Sequence, residues 1–280
     1  MPAPTRSHGR LAIGASLAPR ELMTARPRLA AAWRARVVTL FPKLFPGPLG
    51  ASLTGRALEE GLWQLEAIDL RRHGIGRHRA VDDTPAGGGA GMVLRPDVVD
   101  AALREARAGL DAPVIYMSPA GRPWTQARAA ALARGPGAVI LCGRFEGVDQ
   151  RVLDAHGAVE ASVGDFVMTG GELPAMALID ASVRLIGGVL GNRASVEEES
   201  FAQGLLEHPQ YTRPADWQGR TVPEVLTSGN HRAVAAWRRE MAERLTKERR
   251  PDLWRAHEGA DGGEDRSSRG ADSSGTTRGT

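Results

Sequence analysis

Residues 139–176, VILCGRFEGVDQRVLDAHGAVEASVGDFVMTGGELPAM, gather the side chains best suited to chemistry in this chain. Glu146 and Asp149 follow a glycine break at Gly143 and stand beside Arg144 and Arg151. A second break at Gly164, Gly170 and Gly171 brackets Asp165, Phe166, Val167, Met168 and Thr169. Carboxylates accept protons, guanidinium groups steady developing negative charge, and glycines at strand ends let backbone approach a ligand without an intervening Cβ. A second carboxylate-rich place is the run Glu197, Glu198, Glu199, which read alone is a solvated acidic stretch. A third is the loop from His73 to Gly91, with His78, Arg79, Asp82, Asp83 and four glycines in residues 87–91. That loop has neither the Lys-Ser/Thr ending of a P-loop nor a G-x-G-x-x-G entering a helix, and its His and Asp spacing matches no common metal site. It reads as a mobile loop that closes over substrate.

The elements that must position these groups alternate between strand and helix. Residues 36–41 form a β-branched strand stopped by Pro42, residues 54–65 a helix with Leu58, Leu62 and Leu65 on one face, and residues 68–70 the next strand. Residues 96–110 form a helix that turns Val98, Val99, Ala102, Leu103 and Ala106 inward. Strand 113–117 ends in a turn of Ser118, Pro119, Ala120 and Gly121, and Thr125 caps a helix to Ala133. Strand 139–142 and an apolar helix over 174–185 complete an α/β layer with a largely parallel sheet.

Composition narrows the function classes. The single cysteine, Cys142, excludes an internal disulfide framework and a cysteine-rich zinc site, and its apolar neighbours make it a buried thiol. No apolar run approaches the ~18 residues a membrane helix needs, and no signal peptide is legible, so a cytoplasmic location is expected. The net charge of +3 is misleading. Residues 1–36 carry seven arginines and one acid, and residues 256–280 three arginines and five acids, which leaves 26 basic and 27 acidic side chains between them. Bulk charge therefore does not point to RNA; only a local patch can.

The ordered set YMSPAGRP, CGRFEG, SVGDFVMTGGELPAM, GVLGN, EESFAQGLLEHPQYTRP and LTSGNH, with the glycine loop, resembles the bacterial tRNA (guanine-N1) methyltransferases of the SPOUT superfamily, over roughly residues 37–254. The resemblance implies an α/β fold with a trefoil-knotted domain and a largely parallel sheet, followed by a small all-helical domain. Its expected divisions are a disordered extension over 1–34, the cofactor-binding knotted domain over 35–190, a mobile linker over 191–203, a helical tRNA-binding domain over 204–256 and a disordered tail over 257–280. It implies S-adenosylmethionine as methyl donor, held by Met117, Ser118, Pro119, Gly143, Phe145, Glu146, Ser162, Val163, Gly164, Asp165, Phe166, Val167, Met168, Gly170 and Gly171. It also implies a homodimer with shared active sites, tRNA as partner, no membrane, and assistance from Mg²⁺ for which no ligand set is legible.

Methylation of guanine N1, 3′ of the anticodon at position 37, requires a base for the N1 proton. The resemblance puts a carboxylate of the linker in that role, Glu199 here, with Arg184 beside it and Glu198 as the fallback. Glu199 departs from the family's aspartate, Phe145 from its tyrosine, and Ala86 from an aromatic residue. Asp82, Asp83, His78 and Arg79 are expected on the substrate side. Arg213, Arg220, Ser228, Asn230, His231, Arg232, Arg238 and Arg239 are expected as a group on the anticodon stem. The alternatives are a SPOUT methyltransferase with another RNA target and a tRNA-binding relative without catalysis.

Overall fold

A computed structural model describes residues 32–190, 199–201 and 204–267. Five strands form one sheet in the order β2-β1-β6-β5-β7: β1 Trp33–Thr39, β2 Trp63–Asp69, β5 Val114–Pro123, β6 Gly137–Cys142 and β7 Val159–Ser162. Every pairing in it is parallel, as the strand–helix alternation predicts. Alternation along each strand sends neighbouring residues to opposite faces. Val37, Ile115 and Ile140 pack on one face under α1 Ser52–Glu59, α3 Gln126–Ala133 and α5 Glu172–Val183. Val38, Tyr116 and Leu141 pack on the other under α2 Pro96–Arg107 and α4 Gln150–His156. All six residues of the central strand β6 are buried, which explains its unbroken apolar run.

The sequence expectations hold for α2, whose five buried residues are the five named above, and for α3, where the Thr125 hydroxyl accepts from the Arg128 N–H. They fail over 54–65. The helix there stops at Glu59, Gly61 follows at φ +77°, and Leu65 belongs to β2. A glycine just past a helix end takes the left-handed conformation cheaply, and the buried side chains change from helical to strand period at that point. Strand β1 begins at Trp33, so the expected extension over 1–34 reaches two residues too far; residues 1–31 lie outside the described residues. Trp33 is drawn into the fold by burial, its indole N–H donating to the Leu132 carbonyl.

The loop from His73 to Gly91 carries the first strand of a short hairpin, β3 Asp82–Asp83, which pairs with β4 Val93–Leu94 just after it, with the glycines between them. Strand β4 lies along residues 146–149: Glu146 N–H donates to the Met92 carbonyl, Leu94 N–H to Gly147, and Asp149 N–H to Leu94.

After the linker, α6 Glu224–Thr227, α7 His231–Arg249 and α8 Pro251–Ser267 follow a hairpin of two-residue strands, β8 Asp216–Trp217 and β9 Arg220–Thr221. This part is helical, as expected, with the hairpin in addition. The buried Thr246 hydroxyl ties α7 to the incoming chain by accepting from Leu206 N–H and donating to the Ala242 carbonyl. The disordered tail expected from residue 257 is corrected: α8 continues through Ser267, started by Pro251 at its first turn. Residues 268–280, and most of the expected linker, lie outside the described residues.

Candidate active site

All five strands of a parallel sheet end on the same side, and the loops that leave β5, β6 and β7 converge there on a single cleft. Tyr116, Met117, Ser118 and Pro119 line it from β5. Gly143 to Gly147 line it from β6, and residues 161–164 and 166–171 from β7. Of the fifteen residues expected to hold a cofactor, fourteen line this cleft; Asp165 does not. Tyr116, Arg144, Gly147, Ala161, Thr169 and Pro174 line it as well and were not among the residues expected to hold the cofactor.

The cleft is shaped by backbone. The N–H of Gly171 donates to the Gly143 carbonyl, so the β7 loop is laid directly on the end of β6. A Cβ at Gly171 would stand 2.8 Å from Cys142 Cα, and one at Gly170 2.2 Å from Arg144 Nε. At Gly171 the obstacle is backbone, so no other residue fits, whereas at Gly170 the Arg144 and Glu172 side chains would have to shift. Ser162 Oγ accepts from the Gly164 N–H and donates to the Gly164 carbonyl, which fixes the first turn of the β7 loop. Phe145 sits at φ +58°, a left-handed conformation that costs a side-chain-bearing residue about 1 kcal/mol and is found where the backbone is constrained for function. Its ring is half exposed at the rim.

The charged groups divide into structural and available ones. Asp149 N-caps α4 and binds Arg151 through two hydrogen bonds of 2.9 and 2.7 Å, and the Arg151 guanidinium holds its carboxyl below the usual range. Its role is therefore to start a helix that sequence reading passed over; Asp149 before it and Gly157 after it were the available signals. Glu146 opens on the cleft. Cys142 is fully buried, and burial pushes its thiol up, which agrees with an inert thiol.

Arg184 ends α5 and grips Glu199 through two hydrogen bonds of 2.6 Å each, Nη1 to Oε2 and Nη2 to Oε1. Arg184 holds the Glu199 carboxyl below its ordinary range, against an opposing effect of burial, and its own guanidinium is pushed up in return. Neither residue lines the cleft. Glu199 instead lines a second pocket with Leu205, His208, His231 and Arg238 from the helical part. Glu197 and Glu198, the fallback base included, lie outside the described residues.

On the substrate side, Asp83 pairs with Arg95 at 2.9 Å, and Asp82 is part of β3. Asn230 accepts from the Ala233 N–H as the N-cap of α7, and the Ser228 hydroxyl accepts from the Asn230 N–H. These two members of the expected RNA-binding group have a sufficient structural role. Arg220 stacks 5.6 Å from the centre of the half-exposed Trp217 ring, and Tyr211 and His208 lean on Trp237. Among the described residues, no group of three or more His, Cys, Asp or Glu side chains stands together to hold a metal ion, so the expectation of Mg²⁺ gains no ligand set. Among the same residues, no helix is long and apolar enough to cross a membrane.

Residues 33–256 match the family described as tRNA (guanine-1)-methyltransferase TrmD. A tRNA (guanine-N(1)-)-methyltransferase of Ruegeria pomeroyi is 63% identical over 238 residues, 84% of this chain and 98% of that protein. The protein of the same name from Cereibacter sphaeroides is 65% identical over 246 residues, 85% of this chain and 99% of that protein. One from Rhodopseudomonas palustris is 64% identical over 224 residues, 80% and 90% of the two chains. A match that spans both halves of the described molecule, at such identity, assigns the whole of it: the chain belongs to the tRNA (guanine-1)-methyltransferase family.

Proposed function

We propose that the chain transfers a methyl group from S-adenosylmethionine to N1 of guanine 37 in tRNA, acting as a homodimer in the cytoplasm. The observation that carries this reading is the cleft at the ends of β5, β6 and β7, where three loops present backbone groups and Gly171 leaves no room for a Cβ. Such a surface suits an adenine ring and a methionine moiety, which are recognised by close backbone N–H and carbonyl groups between apolar walls. Met117, Val163, Phe166 and Met168 supply those walls, and Glu146 offers its carboxylate to hydroxyl or ammonium groups.

S-adenosylmethionine supplies a methyl group on a positive sulfonium centre. The residues of the chain must do the remainder. N1 of guanine is protonated at neutral pH, so a base must remove that proton as the N1–methyl bond forms. Glu199 takes that role, with Arg184 directing its carboxylate in the resting chain and then steadying the charge that builds on the guanine oxygen. Because both lie away from the cleft of their own chain, the pair serves the cleft of a second copy. The rim supports this: Val167 is 85% exposed and Leu173 63%, with Phe145 and Phe166 half exposed beside them. An apolar rim of this kind is what a partner subunit covers.

On this reading residues 35–190 hold the cofactor within a trefoil knot, the linker expected over 191–203 delivers the base, and 204–256 grip the anticodon stem. The loops after β5 and β7 have the required intimacy, since Ala161 pairs with both Met117 and Arg122 around the looped-out residues 118–121. The test is transfer of labelled methyl from S-adenosylmethionine to unmodified tRNA with guanines at 36 and 37, for wild type and Glu199→Gln. Activity in the wild type with a loss of about 100-fold or more in the variant is expected, the scale of a general base. Equal activity discards Glu199 as base. A wild type that binds cofactor and tRNA without turnover overturns the enzyme in favour of a binding protein, and methyl on another nucleoside overturns the target.

A further inference from the structure

Glu172, the first residue of α5, carries a carboxylate that is almost fully buried beneath the cleft. An isolated carboxylate there would cost several kcal/mol, and three elements converge to stabilise it. From the β6 loop, Arg144 Nη2 lies 2.9 Å from Oε2, an ion-pair contact outside hydrogen-bond angles, while Arg144 Nε donates to Oε1 at 3.3 Å. From the end of β1, the Thr39 hydroxyl donates to Oε1 at 2.7 Å. The third contribution is the N-terminus of α5 itself, whose dipole favours negative charge in the first turn. Arg144 makes two further contacts: Nη1 donates to the Thr169 carbonyl at 3.0 Å, and its guanidinium lies 4.4 Å from the centre of the Phe41 ring. Arg71 stacks on the same ring at 5.3 Å.

We propose that the buried Arg144–Glu172 pair is a positioning device that holds the segment from Thr169 to Gly171 in the shape the cofactor requires. The pair ties the ends of β1 and β6 to the β7 loop at one point. Gly170 lies flush on it, since a Cβ there would stand 2.2 Å from Arg144 Nε and 2.6 Å from Glu172 Oε2. The backbone that faces the cofactor is thus laid on a charged pair rather than on apolar packing. An ion pair with one buried partner stabilises a fold little better than apolar residues of similar volume, but it fixes geometry through directional bonds. Arg144 acts through Thr169, Gly170 and Gly171, and so is a positioning residue.

The inference rests on the reading of this cleft as the S-adenosylmethionine site, and binding of S-adenosylhomocysteine to the full-length wild-type chain by calorimetry tests that reading first. With binding established, Arg144→Met is expected to weaken it by about 30-fold, the loss of hydrogen bonds to charged groups, with affinity for tRNA unchanged within twofold. Arg144→Met alone leaves a buried carboxylate unpaired and can unfold the chain, so the decisive variant is the double replacement Arg144→Met with Glu172→Met. It removes both charges, and is expected to return the thermal midpoint to the wild-type value without restoring cofactor affinity. Thr39→Val, which lies outside the cleft lining, is expected to weaken cofactor binding a few-fold through Glu172 alone. A double variant with wild-type affinity overturns the proposal and leaves the pair a stability element. So does a loss confined to tRNA binding. A wild type that binds no cofactor overturns both readings.

Discussion

The cleft at the ends of β5, β6 and β7 and the Arg184–Glu199 pair place the same residue types in different settings. Beneath the cleft, Glu172 is withdrawn from solvent at 1% exposed, and Arg144, one-fifth exposed, spans from it to the Thr169 carbonyl. At the end of α5, an arginine and a glutamate stay more than a quarter exposed and point away from that cleft. The first pair is complete within one chain. On the proposed reading, the second serves the cleft of another copy. Binding would then be built into one chain, whereas chemistry would require two.

The largest expected effect breaks the second pair. Glu199→Gln keeps the shape and a hydrogen bond to Arg184 but removes the proton acceptor, and kcat is expected to fall by 10² to 10⁴, the range of general-base catalysis, with cofactor affinity unchanged by calorimetry. The division of labour is sharpened by mixing chains. Arg184 and Glu199 pair within one chain, so two variants of that pair cannot rescue one another. Glu199→Gln mixed with Gly171→Ala leaves one intact composite site in each mixed dimer, and about a quarter of wild-type activity is expected from random exchange. No recovery, with exchange shown by mass, means that each site is built within a single chain.

Gly171→Ala breaks the first region. Its Cβ would press on Cys142 Cα, a backbone atom that cannot move aside without separating the β7 loop from β6. Cofactor affinity is expected to fall by about 100-fold, as small displacements at a reacting site do, and stability by about 1–3 kcal/mol, the usual cost of overpacking. Calorimetry and thermal melting read the two separately. A variant with unchanged affinity shows that the floor of the cleft yields, contrary to its anchoring by Glu172.

The pH dependence of the reaction probes the second pair more gently. Arg184 holds the Glu199 carboxyl below its ordinary range, so the folded group binds protons more weakly than the unfolded one. The stabilisation from this pair is complete above the unfolded carboxylate's pKa and is lost as pH falls through the lower folded value. If Glu199 is the base as proposed, it is ionised across the neutral range, and the acid limb of kcat/KM is expected below ordinary carboxylate titration. Arg184→Ala is expected to move that limb upward towards the ordinary range while lowering kcat. An acid limb that does not move assigns it to another group.

How far this contrast was legible in the sequence follows from the physics of each part. Of the cleft, the four expected glycines at strand ends were legible as places of close backbone approach, a use they share with tight turns. The other ten of the fourteen lining residues were named by the family resemblance and not by spacing. Glu172 was not, because a carboxylate at the start of a helix ordinarily faces solvent, and only the meeting of Thr39, Arg144 and α5 buries it. Residues 54–65 misled because Leu58, Leu62 and Leu65 keep helical spacing across the break at Gly61. That Ser228 and Asn230 also start α7 was not legible, because a helix cap and a phosphate ligand draw on the same polar side chains.

The smallest expected effect tests whether the cleft is read by backbone or by side chain. Phe145 stands where the resembling family has a tyrosine, at φ +58° and half exposed on the rim. Phe145→Tyr carries the same conformational cost and adds only a hydroxyl where water can already compete, so a net hydrogen bond there is worth about 1 kcal/mol or less. Cofactor affinity is expected to change by less than about 5-fold, the corresponding ratio, with the thermal midpoint unaltered. Phe145→Gly separates the two contributions: it relieves about 1 kcal/mol of left-handed strain while removing the ring. If backbone placement dominates, the glycine variant keeps most of the affinity and melts no lower than wild type. If instead the tyrosine variant gains tenfold or more, side-chain recognition at the rim outweighs the glycine-shaped floor, and the contrast between a cleft made of backbone and a pair made of side chains fails at its first member.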